Sequence, residues 1–370
     1  MLDPRMKKLA NLLVNYSCRL QPGEKILIDS SGAPVEFVSE IVKEVYAVGG
    51  YPFVQLGDNR VKRTLVSGMT KELAEKMNEY ETVRMKEMDA YIGIRGGNND
   101  MELSDVNEEK KTTYNKFYAS PICNLRVDTT KWVILRYPTE GMAQLAKMST
   151  ERFEDYFLDV CTMDYAKMSK AMDKLADLMK RTDKVRLIAK DTDLSFSIKG
   201  IGAVKCAGEC NIPDGEVYSA PVKDSVNGYI HYNAPSIENG FEFKDVRLSF
   251  QNGKIVEATA NDTAACNAVF DTDEGARYVG EFAIGVNPFV TKPMGDILFD
   301  EKISGSIHFT PGCCYDDCDN GNKSAVHWDL VLIMAPEYGG GEIWFDDVLI
   351  RKDGRFVLPE LLCLNPENLK

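Results

Sequence analysis

Hydrophobic periodicity changes once along this chain, near residue 183, and that change limits the folds open to it. Before it, amphipathic stretches of helical period alternate with short apolar runs. The segment Pro4 to Leu20 reads as a helix, Gln21-Pro22-Gly23 as a turn, and EKILIDS as a buried strand. A helix from Pro34 to Val48 stops at Gly49-Gly50, and YPFVQLG follows as a second strand. Met69 to Lys86 is helical again, MDAYIGIRGG is a strand running into a glycine turn, WVILRYP is another strand, and Ser149 to Arg181 is almost all helix. Such βαβ alternation predicts an α/β N-terminal domain with a mostly parallel sheet. After Lys180-Arg181-Thr182-Asp183 the pattern becomes one of short alternating segments, KVRLIAKD, DLSFSIKG, GEVYSAP, SIHFT and HWDLVLIM among them, separated by Gly, Asn and Asp. FQNGKIVEA carries Asn-Gly between two alternating runs, the sequence signal of a tight hairpin. The second half therefore predicts a β-rich α+β C-terminal domain.

At 370 residues the chain is too long for one ordinary core. Two domains are expected, 1–183 and 184–370. Its 44 basic and 57 acidic side chains leave a formal charge of −13, which opposes broad attraction to nucleic acid or anionic lipid. Ten cysteines are too dilute for a disulfide-built secreted module, so a reduced, cytoplasmic setting is expected. The first twenty residues mix charges into an amphipathic period, without the apolar core of a secretory signal, and no apolar run reaches membrane-spanning length. Phosphate-loop and nucleophile-elbow motifs are missing, so nucleotide hydrolysis and serine-hydrolase chemistry lack their usual marks.

The chain has three histidines, His231, His308 and His327, all in the second half. In HWDLVLIM, His327 and Asp329 are two apart on a predicted strand, so both side chains emerge on one face, at ligand spacing for a metal or as an ordinary imidazole–carboxylate hydrogen bond. Carboxylates also stand where apolar strands meet turns, at Gly215-Glu216, Gly280-Glu281 and Asp300-Glu301. A carboxylate entering an apolar strand is costly to desolvate unless a cation or donors receive it. Mixed imidazole and carboxylate donors suit Zn, Mn, Co or Fe better than Ca, and several carboxylates can hold two ions about 4 Å apart. His231, with no acidic residue two positions away, reads as structural or cavity-lining.

The segments GEVYSAPVKDSVNG (215–228), VGEFAIGVNP (279–288), LFDEKISGSIHFTPG (298–312) and NKSAVHWDL (322–330) resemble the successive metal-site motifs of the M29 aminopeptidases, the thermophilic metalloprotease family. Residues 132–160 resemble that family's inter-domain region, so the similarity spans more than half the chain in the same order. The resemblance implies a homodimeric enzyme with two divalent ions (Zn, Co, Mn or Mg) that releases N-terminal residues from peptides with a free N-terminus. Carried over by motif, the metal ligands are Glu216, Glu281, His308, His327 and Asp329, with Glu301 reaching the site if KISGSI bulges. Tyr315, seven residues after His308, matches a tyrosine that the family places beside the metals.

On this reading an activated water attacks the first peptide bond, Glu216 or Glu281 is the candidate base, and Tyr315 donates to the oxyanion. Two other readings stay open at the level of sequence: a non-catalytic peptide- or metal-binding protein on the same scaffold, and a dinuclear amidohydrolase acting on a small metabolite. PGCCYDDCDNGN departs from the family by placing Cys313, Cys314 and Cys318 around Tyr315, and the spacings Cys206–Cys210 and Cys314–Cys318 allow a separate structural zinc site.

Overall fold

A computed structural model describes residues 3–99, 101–238 and 240–370. The chain divides into two compact units, Met1–Thr162 with Gly208–Pro213, and Met163–Ala207 with Asp214–Lys370. The sequence expectation put the division at 183. In the structure the helix Tyr165–Arg181 lies in the second unit, where it buries Met168, Met172, Leu175 and Met179. Its apolar stripe recurs every three to four residues, as a helix covering a sheet requires.

The first unit is built on a five-stranded sheet in the order Tyr51–Gly57, Lys25–Ser31, Ala90–Arg95, Lys131–Arg136, Asn211–Ile212. All its pairings are parallel. The expected N-terminal α/β architecture is thus present, and central strand Ala90–Arg95 is buried along almost its whole length. Its fifth strand is supplied from residues 208–213, far downstream, and local periodicity gives no sign of so short a strand. The helix expected over Met69–Lys86 runs over Lys71–Lys86, capped by the Thr70 hydroxyl, which accepts from the Leu73 N–H.

The second unit contains two antiparallel sheets. The larger runs Lys254–Thr259, Arg247–Gln251, Asn227–His231, Thr192–Ser197, Lys184–Ala189, Gly341–Phe345, Val348–Lys352, Arg355–Phe356. The smaller runs Val331–Ile333, Ser306–Pro311, Val279–Gly285, Glu216–Ser219, Val204–Cys206. Asn252 and Gly253 both take positive φ between the first two strands of the larger sheet, which is the hairpin expected at FQNGKIVEA. The sheets meet through aromatic rings: Phe196 of the larger lies 5.0 Å from both Phe282 and Phe309 of the smaller, centroid to centroid.

Strand alternation makes the opposite face of the smaller sheet polar. Where Phe282 and Phe309 point into the core, Glu281 and Ala283, and His308 and Thr310, point away from it. His308 sits opposite Ala283, and Glu216 opposite Gly285. Small residues in the central strand thus leave room beside the two long polar side chains.

Candidate metal centre

Three of the six proposed ligands, Glu216, Glu281 and His308, stand on three neighbouring strands, Glu301 follows the short helix Ile297–Asp300, and His327 and Asp329 lie just before a fourth strand, Val331–Ile333. Glu281 is central. Its Oε1 lies 3.2 Å from His308 Nε2 and its Oε2 lies 3.3 Å from His327 Nε2. His308 Nδ1 is 3.5 Å from Glu216 Oε2, and His327 Nε2 is 3.4 Å from Asp329 Oδ1. Donor atoms of Glu216, Glu281 and His308 fall within 4.8 Å of one another, and so do those of Glu281, His327 and Asp329 and of Glu301, His308 and Asp329. All six residues named from sequence are therefore brought together.

Their routes differ from the expectation in two places. HWD is not part of a regular strand: His327 forms an isolated bridge with Gly312, and strand pairing begins only at Val331. The segment is nonetheless extended, tied by Trp328 N–H to Pro311 O and by Phe309 N–H to Leu330 O. Alternation survives, with Trp328 buried against Phe243 and Phe270 while His327 and Asp329 face the site. Glu301 ends the short helix Ile297–Asp300, and the turn that follows brings it beside His308, whose Nδ1 is 3.3 Å from the Glu301 carbonyl oxygen. The reversal over Lys302 to Gly305 plays the part expected of a bulge.

Close backbone approach builds the rest. The register slips between Val279 and Glu281, and a Cβ at Gly280 would lie 2.2 Å from the Cys313 carbonyl oxygen. That carbonyl takes the Nδ1 proton of His327 at 2.8 Å, which turns Nε2 toward the carboxylates. Thr310 Oγ1 donates to Asp329 Oδ1 at 2.7 Å. Buried Arg351 donates to the carbonyls of Ser306 and Gly285, tying the strand ends beneath the site.

Sequence reasoning missed Lys302, Asp214, Thr310 and Glu238. Lys302 is fully buried, with Nζ 2.5 Å from Glu216, 2.7 Å from Glu301 and 3.5 Å from Asp214. In the sequence Lys302 follows Asp300-Glu301 and precedes Ile303-Ser304, a setting that carries no local signal of burial. Glu238, on the short strand Ser236–Glu238, has its carboxyl pushed up by burial and by Asp329. His231 lies elsewhere, 3.3 Å from Asp245 and 3.7 Å from Asp191, as a structural histidine.

Tyr315 is half-exposed, with its ring 4.8 Å from that of His327 and 5.6 Å from that of Tyr218. Desolvation and the nearby carboxylates, Glu281 foremost, push its phenol well above the usual range, so it stays a donor. The structural zinc site read from the two cysteine pairs does not form among the described residues. No group of three or more ligating side chains there combines two cysteines; Cys318 packs with Tyr218, Ala220 and Ala283.

Electrostatics bind these groups into one unit. Burial works against a charged His308, but Glu216 and Glu281 outweigh it and hold its pKa up at about 10. Burial also opposes charge on His327, and Asp329 and Glu281 overcome it, to about 12. Burial pushes Glu301 up to about 8 although Lys302 pulls the other way. Burial would raise Glu281 and Asp329 as well, yet the imidazoles hold both below the usual carboxylate range. Two buried atoms aimed into this cluster, Glu216 Oε2 and His327 Nε2, make no hydrogen bond. Donors of this kind, close together, unpartnered and rich in carboxylate, fit a divalent cation.

Comparison with known proteins agrees. The profile of the family described as "Thermophilic metalloprotease (M29)" matches residues 2–356. Aminopeptidase 2 of Geobacillus stearothermophilus is 23% identical over 95% of both chains, and Aminopeptidase T of Thermus aquaticus is 23% identical over 95% of this chain and 98% of its own. The fold is also that of the solved wild-type AmpT from Thermus thermophilus, with a TM-score of 0.76, 22% identity, and 96% and 99% of the two chains covered. The 2,5-dihydroxypyridine dioxygenase of Pseudomonas putida KT2440 shares the fold at a TM-score of 0.63 and 12% identity, so the scaffold alone does not name a reaction. With the family profile spanning almost the whole sequence over a cluster of this chemistry, the chain belongs to the M29 family of thermophilic metalloproteases and is a metal-dependent peptide hydrolase.

Proposed function

We propose that this protein is an aminopeptidase that uses two divalent ions sharing Glu281. The observation that carries the reading is the division of the Glu281 carboxylate, one oxygen toward His308 and the other toward His327. Glu216 and His308 would complete one position, and His327 and Asp329 the other, with Glu301 adjoining through His308 and Asp329. Such ions polarise a peptide carbonyl and make hydroxide available near neutral pH.

The side chains supply the rest of the chemistry. Cys313 O and Thr310 orient His327 and Asp329, so the donors are set before substrate arrives. Tyr315, half-exposed and kept protonated, is placed to donate to the oxyanion as the carbonyl becomes tetrahedral. A proton must also be carried from water to the departing amine. Glu301 also lies against the Lys302 ammonium, 2.7 Å away, yet burial pushes it up to about 8, so it can hold and return that proton near neutral pH. The free α-amino group of a peptide would coordinate one ion or meet a carboxylate of this cluster, which would confine attack to the first bond.

Turnover of one peptide with a free and with an acetylated N-terminus tests this. The aminopeptidase reading requires turnover of the free peptide, loss on chelation, recovery with Co or Zn, and no cleavage of the acetylated form. Equal cleavage of both indicates an amidohydrolase, and binding without turnover a peptide-binding protein. Ten free cysteines accord with a cytoplasmic setting, and no helix among the described residues is long and apolar enough to cross a membrane. A homodimer is supported by the edge strand Tyr51–Gly57, which exposes Phe53, Val54 and Leu56. Light scattering in solution tests that assembly.

A further inference from the structure

Lys302 already places a cation inside the candidate metal centre. Its ammonium touches Glu216 Oε1 at 2.5 Å, Glu301 Oε1 at 2.7 Å and Asp214 Oδ1 at 3.5 Å. The placement is built and not incidental. Lys302 N–H bonds Phe299 O and its carbonyl accepts from Asn287 N–H, while Asn287 Nδ2 holds the Asp214 carbonyl at 2.7 Å. Cys206, Asp214 and Glu216 come together as a further possible cation cluster, and the ammonium neutralises two of its three members.

The two positions that share Glu281 therefore differ. The outer one, Glu281 with His327 and Asp329, contains no residue in contact with Lys302. The inner one, Glu216 with Glu281 and His308, draws on a carboxylate whose other oxygen is already bonded to the ammonium. A dication entering there meets a fixed positive charge a few ångströms away in a buried setting, and it receives a donor already partly neutralised.

We propose that Lys302 makes the two metal positions unequal, so that the outer ion binds tightly and the inner ion binds on the order of a hundredfold more weakly. The inference rests on reading this cluster as a metal centre. It makes the protein a one-ion species at limiting metal and a two-ion species only at excess. Lys302 acts as a positioning residue, through the charge it lends to Glu216 and Glu301.

The test is calorimetric titration of the metal-stripped full-length protein with Co²⁺, alongside Lys302→Gln and Lys302→Arg, with thermal melts at each stoichiometry. Two steps separated about a hundredfold are expected for the unaltered protein and for Lys302→Arg. Lys302→Gln should bring the steps within about tenfold and gain more melting temperature from the second ion, because metal then neutralises carboxylates that the ammonium had served. A Lys302→Gln protein that folds only with Co²⁺ present also supports the proposal. Two ions of matched affinity in the unaltered protein overturn it, as does an unchanged gap in Lys302→Gln. Failure of the unaltered protein to bind any Co²⁺ is a different result, and it removes the metal reading itself.

Discussion

His327 gives its Nδ1 proton to the main-chain carbonyl of Cys313, 2.8 Å away, and by doing so presents Nε2 to the carboxylates. The imidazole is thereby held in one tautomer by backbone, not by another side chain, and its Nε2 is turned toward Glu281 and Asp329.

Replacing a donor should therefore remove metal and activity together. His327→Ala is expected to lose more than the roughly 10–100-fold in metal affinity typical of outer-shell changes. Glu281→Ala should be more severe, because both imidazoles face that carboxylate. Elemental analysis beside peptide turnover checks both, and a variant retaining full metal would remove the residue from the ligand set.

Metal binding should strengthen with pH. Without metal, His308 and His327 hold protons up to about 10 and about 12, and each must give one up to become a ligand. Calorimetry in buffers of different ionisation enthalpy should report about two protons released per two ions near neutral pH. Folding of the metal-free protein should move the other way. These imidazole pKa values are raised above the unfolded value of about 6.5, so their contribution is complete below that pH and is lost as pH rises toward 10 and beyond. Urea unfolding of stripped protein between those limits measures it.

Tyr315→Phe isolates the phenol. Its ring packing on His327 and Tyr218 is preserved, so metal content and KM should change little. Loss of an oxyanion donor lowers kcat by roughly 10²–10³-fold. Steady-state kinetics on a chromogenic aminoacyl substrate decides, and an unchanged kcat would leave the tyrosine a packing residue.

Gly280→Ala tests the backbone contact behind His327. A Cβ would press on the Cys313 carbonyl at 2.2 Å and on that of Gly312 at 2.5 Å, so the loop must move. A cost of about 1–3 kcal/mol in unfolding free energy is expected from such overpacking. Metal affinity should fall with it, because the moved carbonyl is the acceptor that orients His327.

Glu216, Glu281, His308, His327 and Asp329 were legible because each sits in a short motif whose order and spacing carry information, and Glu301 because of the acidic pair it forms with Asp300. Lys302 was not legible as part of the site. One lysine among the chain's basic residues looks like any solvated charge until the turn after Ile297–Asp300 buries it among three carboxylates. Asp214 and Thr310 escaped for the same reason, since their roles are contacts with residues distant in sequence.

Periodicity and turn chemistry are local properties, and they alone determined the parallel α/β first half, the antiparallel second half and the hairpin at Asn252-Gly253. The tertiary structure decided which helix belongs to which unit, that residues 208–213 lend a strand to the first sheet, and that HWD remains extended without regular pairing. It also decided that one buried ammonium shares the centre with two imidazoles. Those outcomes depend on strand order and on charges meeting across long sequence separations, where the Coulomb and desolvation energies of a buried group are set by neighbours that no local pattern names.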